Sequence, residues 1–235
     1  MKTYISLVVI FMMMIHSEHA VYAKTEPYEN KQSIYLTFDD GPNQYTNTIL
    51  DLLKKEKVKA TFFVLGPNAA SHKTVLNRIV KEGHTIGLHG MSHNPKEFYK
   101  KPQTAVKEMK DAQKIVQDIT GITTAIVRTP YGSKPYMTSP YRKAMKKAGF
   151  QMWDWNVDSE DWKKPQNKKK LRKIIEQHIQ YNDRRNRASI ILMHDQAINP
   201  KSLSITIENL KKQKKIFRTA ADATNPFNYY NSWGN

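Results

Sequence analysis

Two adjacent carboxylates, Asp39 and Asp40, follow the apolar run Ser33-Ile34-Tyr35-Leu36 and precede a Gly41-Pro42 turn. On an extended backbone neighbouring side chains point to opposite sides, so the two acids can do different jobs, although a loop that caps the next helix uses the same residue types. A second apolar run ends in His84-Thr85-Ile86-Gly87-Leu88-His89-Gly90-Met91-Ser92-His93. His89 and His93 are four apart, and on a helical turn that spacing puts both imidazoles on one face, where they can chelate one metal ion. His84, at the near side of the run, reads as structural. Arg128, a permanent cation, ends a third run before Thr129-Pro130-Tyr131-Gly132, and Asp158-Ser159-Glu160-Asp161-Trp162 follows a fourth. Ile191-Leu192-Met193-His194-Asp195 closes a fifth, and taken alone His194 reads as a satisfied buried histidine.

These residues need elements to hold them. Short apolar runs rich in β-branched or aromatic residues predict strands at Ser33–Phe38, Ala60–Val64, His84–Leu88, Ala125–Arg128, Phe150–Asn156, Ser189–Met193 and, more weakly, Lys215–Phe217. Helical spacing predicts helices over Thr46–Glu56, Lys73–Glu82, Thr104–Thr120, Tyr141–Ala148, Leu171–Tyr181 and Ser204–Lys212, with Gly121 as a C-cap. Strand followed by helix, again and again, predicts an α/β domain with a mainly parallel sheet. The acids, histidines and arginine all sit just after strands, where the sites of parallel α/β domains lie. Five strand ends converging on one site favour a closed barrel over an open sheet, whose ends spread along a wide edge. Trp153 and Trp155 share the alternation of a strand, which assigns them to the core before a groove wall.

The 235 residues suffice for one substantial core, and a single domain is expected. Residues 1–23 carry Lys2, the apolar run Ile5 to Ile15 and a stretch ending Val21-Tyr22-Ala23, which reads as a signal peptide cleaved after Ala23. The run is shorter than the roughly 18 residues that span a bilayer, and an uncleaved membrane anchor is the alternative. Residues 24–32 read as a flexible lead. There is no cysteine, which excludes disulfides and thiol chemistry and, with export, suggests a bacterial surface. The net charge of +17 is unchanged by cleavage, because Lys2 and Glu18 cancel, and it favours contact with polyanions such as anionic wall polymers. Residues 220–235 form a tail ending in an uncharged aromatic stretch, and the sequence leaves open whether it packs on the domain or meets a partner.

At these motifs the chain resembles the polysaccharide deacetylases of carbohydrate esterase family four, from about Ser33 to Thr219 and in the same motif order. The resemblance implies a distorted (β/α) barrel of about seven parallel strands in a single catalytic domain. It also implies one divalent metal, zinc most often and cobalt or another transition ion at times. Asp40, His89 and His93 match the family's metal ligands, Asp39 its general base, and Arg128 the arginine that pairs with the base. His194 matches the general acid and Asp161 its orienting partner. The Tyr131 N–H matches the donor to the acetyl oxygen, and Pro130, Tyr131, Trp162 and Leu192 line the substrate. The implied reaction is removal of N-acetyl groups from N-acetylglucosamine units of an acetylated polysaccharide, peptidoglycan foremost, by a secreted or cell-surface monomer.

Three departures stand out, one of them that the chain after His194 has no strong match to the family. Gly90 occupies a position where the family usually has Ser or Thr, which removes one hydrogen bond from the metal site's surroundings. Thr129 replaces a frequent proline. Two rival readings keep the fold: an exported, inactive glycan-binding protein, and an acetylxylan or chitin deacetylase. Nucleic-acid binding has only the charge behind it, since no recognised motif is present and export removes the protein from the genome.

Overall fold

The structure, a computed structural model, describes residues 30–163 and 168–230. The expected signal peptide and most of the lead lie outside the described residues. Chain order is β1 (Ser33–Asp39), α1 (Thr46–Lys55), β2 (Thr61–Val64), α2 (Gly66–Ser71), α3 (Lys73–Lys81), β3 (Thr85–Leu88), α4 (Pro95–Phe98), α5 (Pro102–Thr120) and β4 (Ile126–Val127). There follow α6 (Ser139–Lys147), β5 (Gln151–Met152), β6 (Val157–Asp158), α7 (Lys168–Asp183), β7 (Ser189–His194), α8 (Pro200–Lys212) and β8 (Ile216–Arg218).

All strand pairs are parallel, in the order β5-β4-β3-β2-β1-β7-β6, with β8 beside the first half of β1. β1 is buried along its whole length, which explains its near-continuous apolar run: a central parallel strand is covered on both faces. Its even residues Ile34, Leu36 and Phe38 pack outward in the larger core beneath the helices, to which α1 contributes Ile49, Leu50 and Leu53, and α5 Met109 and Val116. Its odd residues face the other way. Tyr35 packs with Phe63, Trp153 and Ile190 in a second, smaller cluster that fills the inside of the curled sheet. α5 ends where expected, at Gly121 with φ 74°, whose N–H caps the Gln117 carbonyl at 2.8 Å.

The expected strand Phe150–Asn156 divides. Gln151 and Met152 pair with β4, the chain crosses the barrel mouth through Trp153–Asn156, and Val157 and Asp158 then pair with β7 at the opposite edge. The Trp153 N–H still reaches the Val127 carbonyl (2.8 Å) while the Asn156 N–H reaches Ile190 (3.2 Å). One aromatic-rich segment therefore spans both sheet edges and holds the curl, where a seventh ladder would otherwise close it. Past β8, the tail returns to this seam: Phe227 is buried, and its carbonyl accepts the Asp154 N–H at 2.8 Å.

Candidate active site

Strand parity aims the site. Tyr35, Thr37 and Asp39 follow one another up the inner face of β1, beside Ile190, Leu192 and His194 of β7 in register. On β3, Gly87 is followed two residues later by His89, and on β4, Ile126 is followed by Arg128, so the same face carries both to the strand ends. Gly87 is required there: a Cβ would lie 2.4 Å from the Phe63 ring.

Arg128 is fully buried inside the barrel. Its Nη1 donates to Asp39 Oδ1 (2.8 Å) and to the Thr37 hydroxyl (2.7 Å), its Nη2 to the Asp154 carbonyl (3.0 Å), and its guanidinium lies 4.1 Å from the centre of the Phe63 ring. Asp39 is itself only 3% exposed. One of its oxygens is thereby committed to the arginine, while Oδ2 faces His89 Nε2 at 3.8 Å.

Asp40 has a left-handed backbone (φ 71°), and its carbonyl accepts from the Asn68 side chain of α2 at 2.6 Å. Its Oδ1 is buried without a hydrogen-bond partner and stands 3.5 Å from Nε2 of both His89 and His93. The His89 Nδ1 lies 2.7 Å from the Arg128 carbonyl, and because a carbonyl only accepts, that nitrogen carries the proton and Nε2 presents a lone pair. Burial, followed by the neighbouring His89, pushes the His93 imidazole down toward its neutral form. A partnerless carboxylate oxygen facing imidazole lone pairs is the donor set of a cation site. These three are the Asp/His/His group, among the described residues, able to hold a metal ion.

The loop between the histidines is not helical. Gly90 (φ 87°) and His93 (φ 49°) turn it, and buried Glu108 of α5 accepts the Met91 and Ser92 N–H groups, both at 2.9 Å, and the Ser92 hydroxyl at 2.8 Å. Gly90 offers no side-chain hydrogen bond to the site, and His89 is oriented by the Arg128 carbonyl.

His194 is held by buried Asp161 through two bonds: Nδ1–H to Oδ1 at 2.8 Å and the backbone N–H to Oδ2 at 2.7 Å. Burial opposes a charge on the ring, but the hydrogen bond and charge of Asp161, with Asp39 and Asp40 beyond, outweigh it and carry the imidazole up to about 9. His84 is structural, as expected. Its Nδ1 accepts the Ala60 N–H at 3.1 Å, and burial, then Lys59, pushes it down to about 4.

A cavity of about 380 Å³ is lined by Asp39, Asp40, His89, His93, Tyr131 and His194, with Leu192, Trp155, Asp158 and Trp162 around them. Arg128 and Asp161 stand behind the wall they support. Pro130 is buried, its carbonyl taken by the Tyr99 hydroxyl at 2.6 Å, and it does not line the cavity. Tyr131 is half exposed at φ 63°, with its ring 4.8 Å from that of His93. The Gly132 N–H turns back to Thr129 (2.9 Å), whereas the Tyr131 N–H donates to no group among the described residues.

Glu108 and Asp154 went unrecognised in the sequence, and Trp155, which strand alternation assigned to the core with Trp153, lines the cavity instead while Trp153 is buried. Glu108 lies on a helix whose other inward residues are apolar, and Asp154 lies between two tryptophans in a stretch that reads as strand. The available signal was an acid amid inward-facing apolar residues, which burial tolerates only with partners.

Residues 27–153 match the family model described as polysaccharide deacetylase. The chain is 40% identical over 205 residues to the Bacillus subtilis protein YheN, covering 86% of this chain and 72% of YheN. It is 37% identical over 190 residues to a peptidoglycan-N-acetylglucosamine deacetylase of Bacillus cereus, covering 80% of this chain and 67% of the relative. The crystal structure of a Bacillus cereus polysaccharide deacetylase superposes with a TM-score of 0.76 at 33% identity, over 84% of this chain and 97% of that one.

Proposed function

The chain belongs to the polysaccharide deacetylase family, and we propose on that premise that it is a metal-dependent hydrolase removing N-acetyl groups from N-acetylglucosamine units of peptidoglycan, with release of acetate. The observation that carries this reading is the partnerless, buried Asp40 Oδ1 between His89 and His93, with Asp39 and His194 on the same cavity. Asp40, His89 and His93 would hold a divalent ion, zinc first and cobalt as an alternative. When bound, the ion supplies Lewis-acid charge that acidifies water and draws negative charge from the acetyl oxygen.

Asp39 is the general base. Arg128 fixes one of its oxygens and leaves the other to take a proton from the attacking water. The Tyr131 N–H is a donor available to the acetyl oxygen as negative charge develops there. His194 is the general acid. Its Nδ1 is committed to Asp161, so Nε2 is the atom that delivers a proton to the departing sugar nitrogen, and its raised pKa keeps that proton in place at neutral pH. Leu192 and Trp162 supply apolar contact for the acetyl methyl, and Trp162 is held by its indole N–H on Asp158 Oδ1 at 3.3 Å.

We read the protein as a monomer, exported and acting at the bacterial cell surface, with its charge of +17 favouring anionic wall polymers. Among the described residues no helix is long and apolar enough to cross a membrane. The test is mass spectrometry of glycan fragments from treated peptidoglycan, chitin oligomers and acetylated xylan. Deacetylated glucosamine in the peptidoglycan fragments is the expected product; deacetylation of xylan alone would replace this reading with an esterase.

A further inference from the structure

The last described residues come back to the active-site mouth. The Asp154 N–H donates to the Phe227 carbonyl at 2.8 Å, and the Tyr229 N–H donates to Asp154 Oδ2 at 2.8 Å. The Tyr229 ring meets Trp155 edge-on at 5.8 Å, and the Tyr230 ring lies 3.9 Å from the Arg142 guanidinium and 5.3 Å from Lys134 Nζ. The other bonds of Asp154 go to the segment after β4: Oδ1 accepts the Ser133 N–H (2.8 Å), Oδ2 the Ser133 hydroxyl (2.5 Å), and its carbonyl Arg128 Nη2 (3.0 Å).

One fully buried carboxylate is thus shared between the tail and the turn that carries Tyr131. That turn needs holding. Tyr131 (φ 63°) is left-handed, a conformation that costs an L residue about 1–2 kcal/mol, and Gly132 (φ 81°) follows in the same region, where only glycine sits without cost. Tyr99 grips one side through the Pro130 carbonyl, and Asp154 grips the other through Ser133. Trp155, backed by Tyr229, lies so close to Gly132 that a Cβ there would be 2.8 Å from the indole.

We propose that Phe227–Tyr230 form a strap that sets the position of the Tyr131 turn, with Asp154 as the positioning residue through which the strap acts. The proposal rests on the deacetylase reading, in which the Tyr131 N–H meets the acetyl oxygen. It gives the tail a role in turnover in addition to covering the barrel seam, and it makes the fit of the turn depend on Phe227–Tyr230.

Tyr229→Pro tests it, because proline deletes the donated N–H, while Tyr229→Phe keeps both donor and ring. The proline variant is expected to lose about tenfold or more in kcat with a smaller change in KM, as displacement of a substrate-contacting group does. Its zinc affinity should stay unchanged, since Asp40, His89 and His93 lie on other loops, and the phenylalanine variant should retain kcat. Amide hydrogen exchange supplies a readout independent of activity: the Ser133 N–H should lose protection in the proline variant. If the proline variant does not fold, Asp154→Asn, which keeps the shape and exchanges one acceptor for a donor, is read in the same way. Wild-type kcat in a folded variant, or unchanged Ser133 protection, overturns the proposal. Absence of acetate release from the wild type would instead count against the deacetylase reading, and the exchange result would then decide the coupling alone.

Discussion

Asp39 and His194 are direct register partners on the adjacent parallel strands β1 and β7, and both end those strands on the inner face. Each is held from behind by a buried group of opposite charge type, Asp39 by Arg128 and His194 by Asp161. The proposed base and the proposed acid thus stand side by side on the wall of one cavity, in a register where slipping either strand by one residue would turn its side chain to the other face.

The Arg128–Asp39 pair is buried on both sides, so removing one charge strands the other. Arg128→Met is expected to destabilise the fold by about 3–5 kcal/mol, measured by denaturant unfolding, and to reduce turnover as well. A loss below about 1 kcal/mol would mean that Asp39 does not depend on this partner.

Asp161→Asn removes the charge that most raises His194. Without a bound cation the acid form of His194 is present below about 9, and in the metal-loaded enzyme activity should decline as pH rises through a correspondingly lower value. In the variant this alkaline limb should move toward the ordinary histidine value near 6.5, with kcat falling at neutral pH. A bound cation lowers both values but leaves the sign of the difference. The same linkage affects stability: the His194–Asp161 contribution is complete below pH 6.5 and is lost as pH rises through about 9. A pH–rate profile of unchanged position would remove His194 from the role of acid.

His84 acts in the opposite direction. It is neutral in the fold, with its value depressed to about 4, so the unfolded chain binds the extra proton between pH 6.5 and 4. Stability should fall over that window by up to about 3 kcal/mol, and His84→Gln should flatten the dependence. Unfolding curves collected across that range check it.

Gly87→Ala forces a methyl to within 2.4 Å of Phe63, the ring on which Arg128 rests. The expected cost is about 1–3 kcal/mol, with some loss of activity transmitted through Arg128. A fully stable, fully active variant would show that Phe63 is free to move.

Much of the site was legible because the barrel's physics is local. Asp39, His89, Arg128 and His194 end buried strands or directly follow them, and period-two alternation tells which neighbours share their face, whereas Asp40, His93, Tyr131 and Asp161 stand in the loops beyond. The placement of the first four follows from that rule, while their roles come with the family resemblance, since His194 taken alone reads as a satisfied buried histidine. His89 and His93 converge for a different reason from the helical turn that their spacing suggested: Gly90 and Glu108 build a left-handed loop, and a buried acceptor seventeen residues downstream leaves no local pattern. The break between β5 and β6 was hidden because Phe150–Asn156 keeps strand-like residues while changing sheet edges. α2 and α4, at six and four residues, are too short for helical periodicity to register.

The central claim is that Asp39, beside a cation held by Asp40, His89 and His93, drives hydrolysis of a glycan acetamide. Acetate release from purified peptidoglycan by the chain from Lys24 tests it most directly, with chelator, with zinc or cobalt restored, and with Asp39→Asn alongside. Release that chelator abolishes, metal restores and the variant lacks is the expected result. Release that persists without metal, or no release despite one bound ion per chain, would contradict the account.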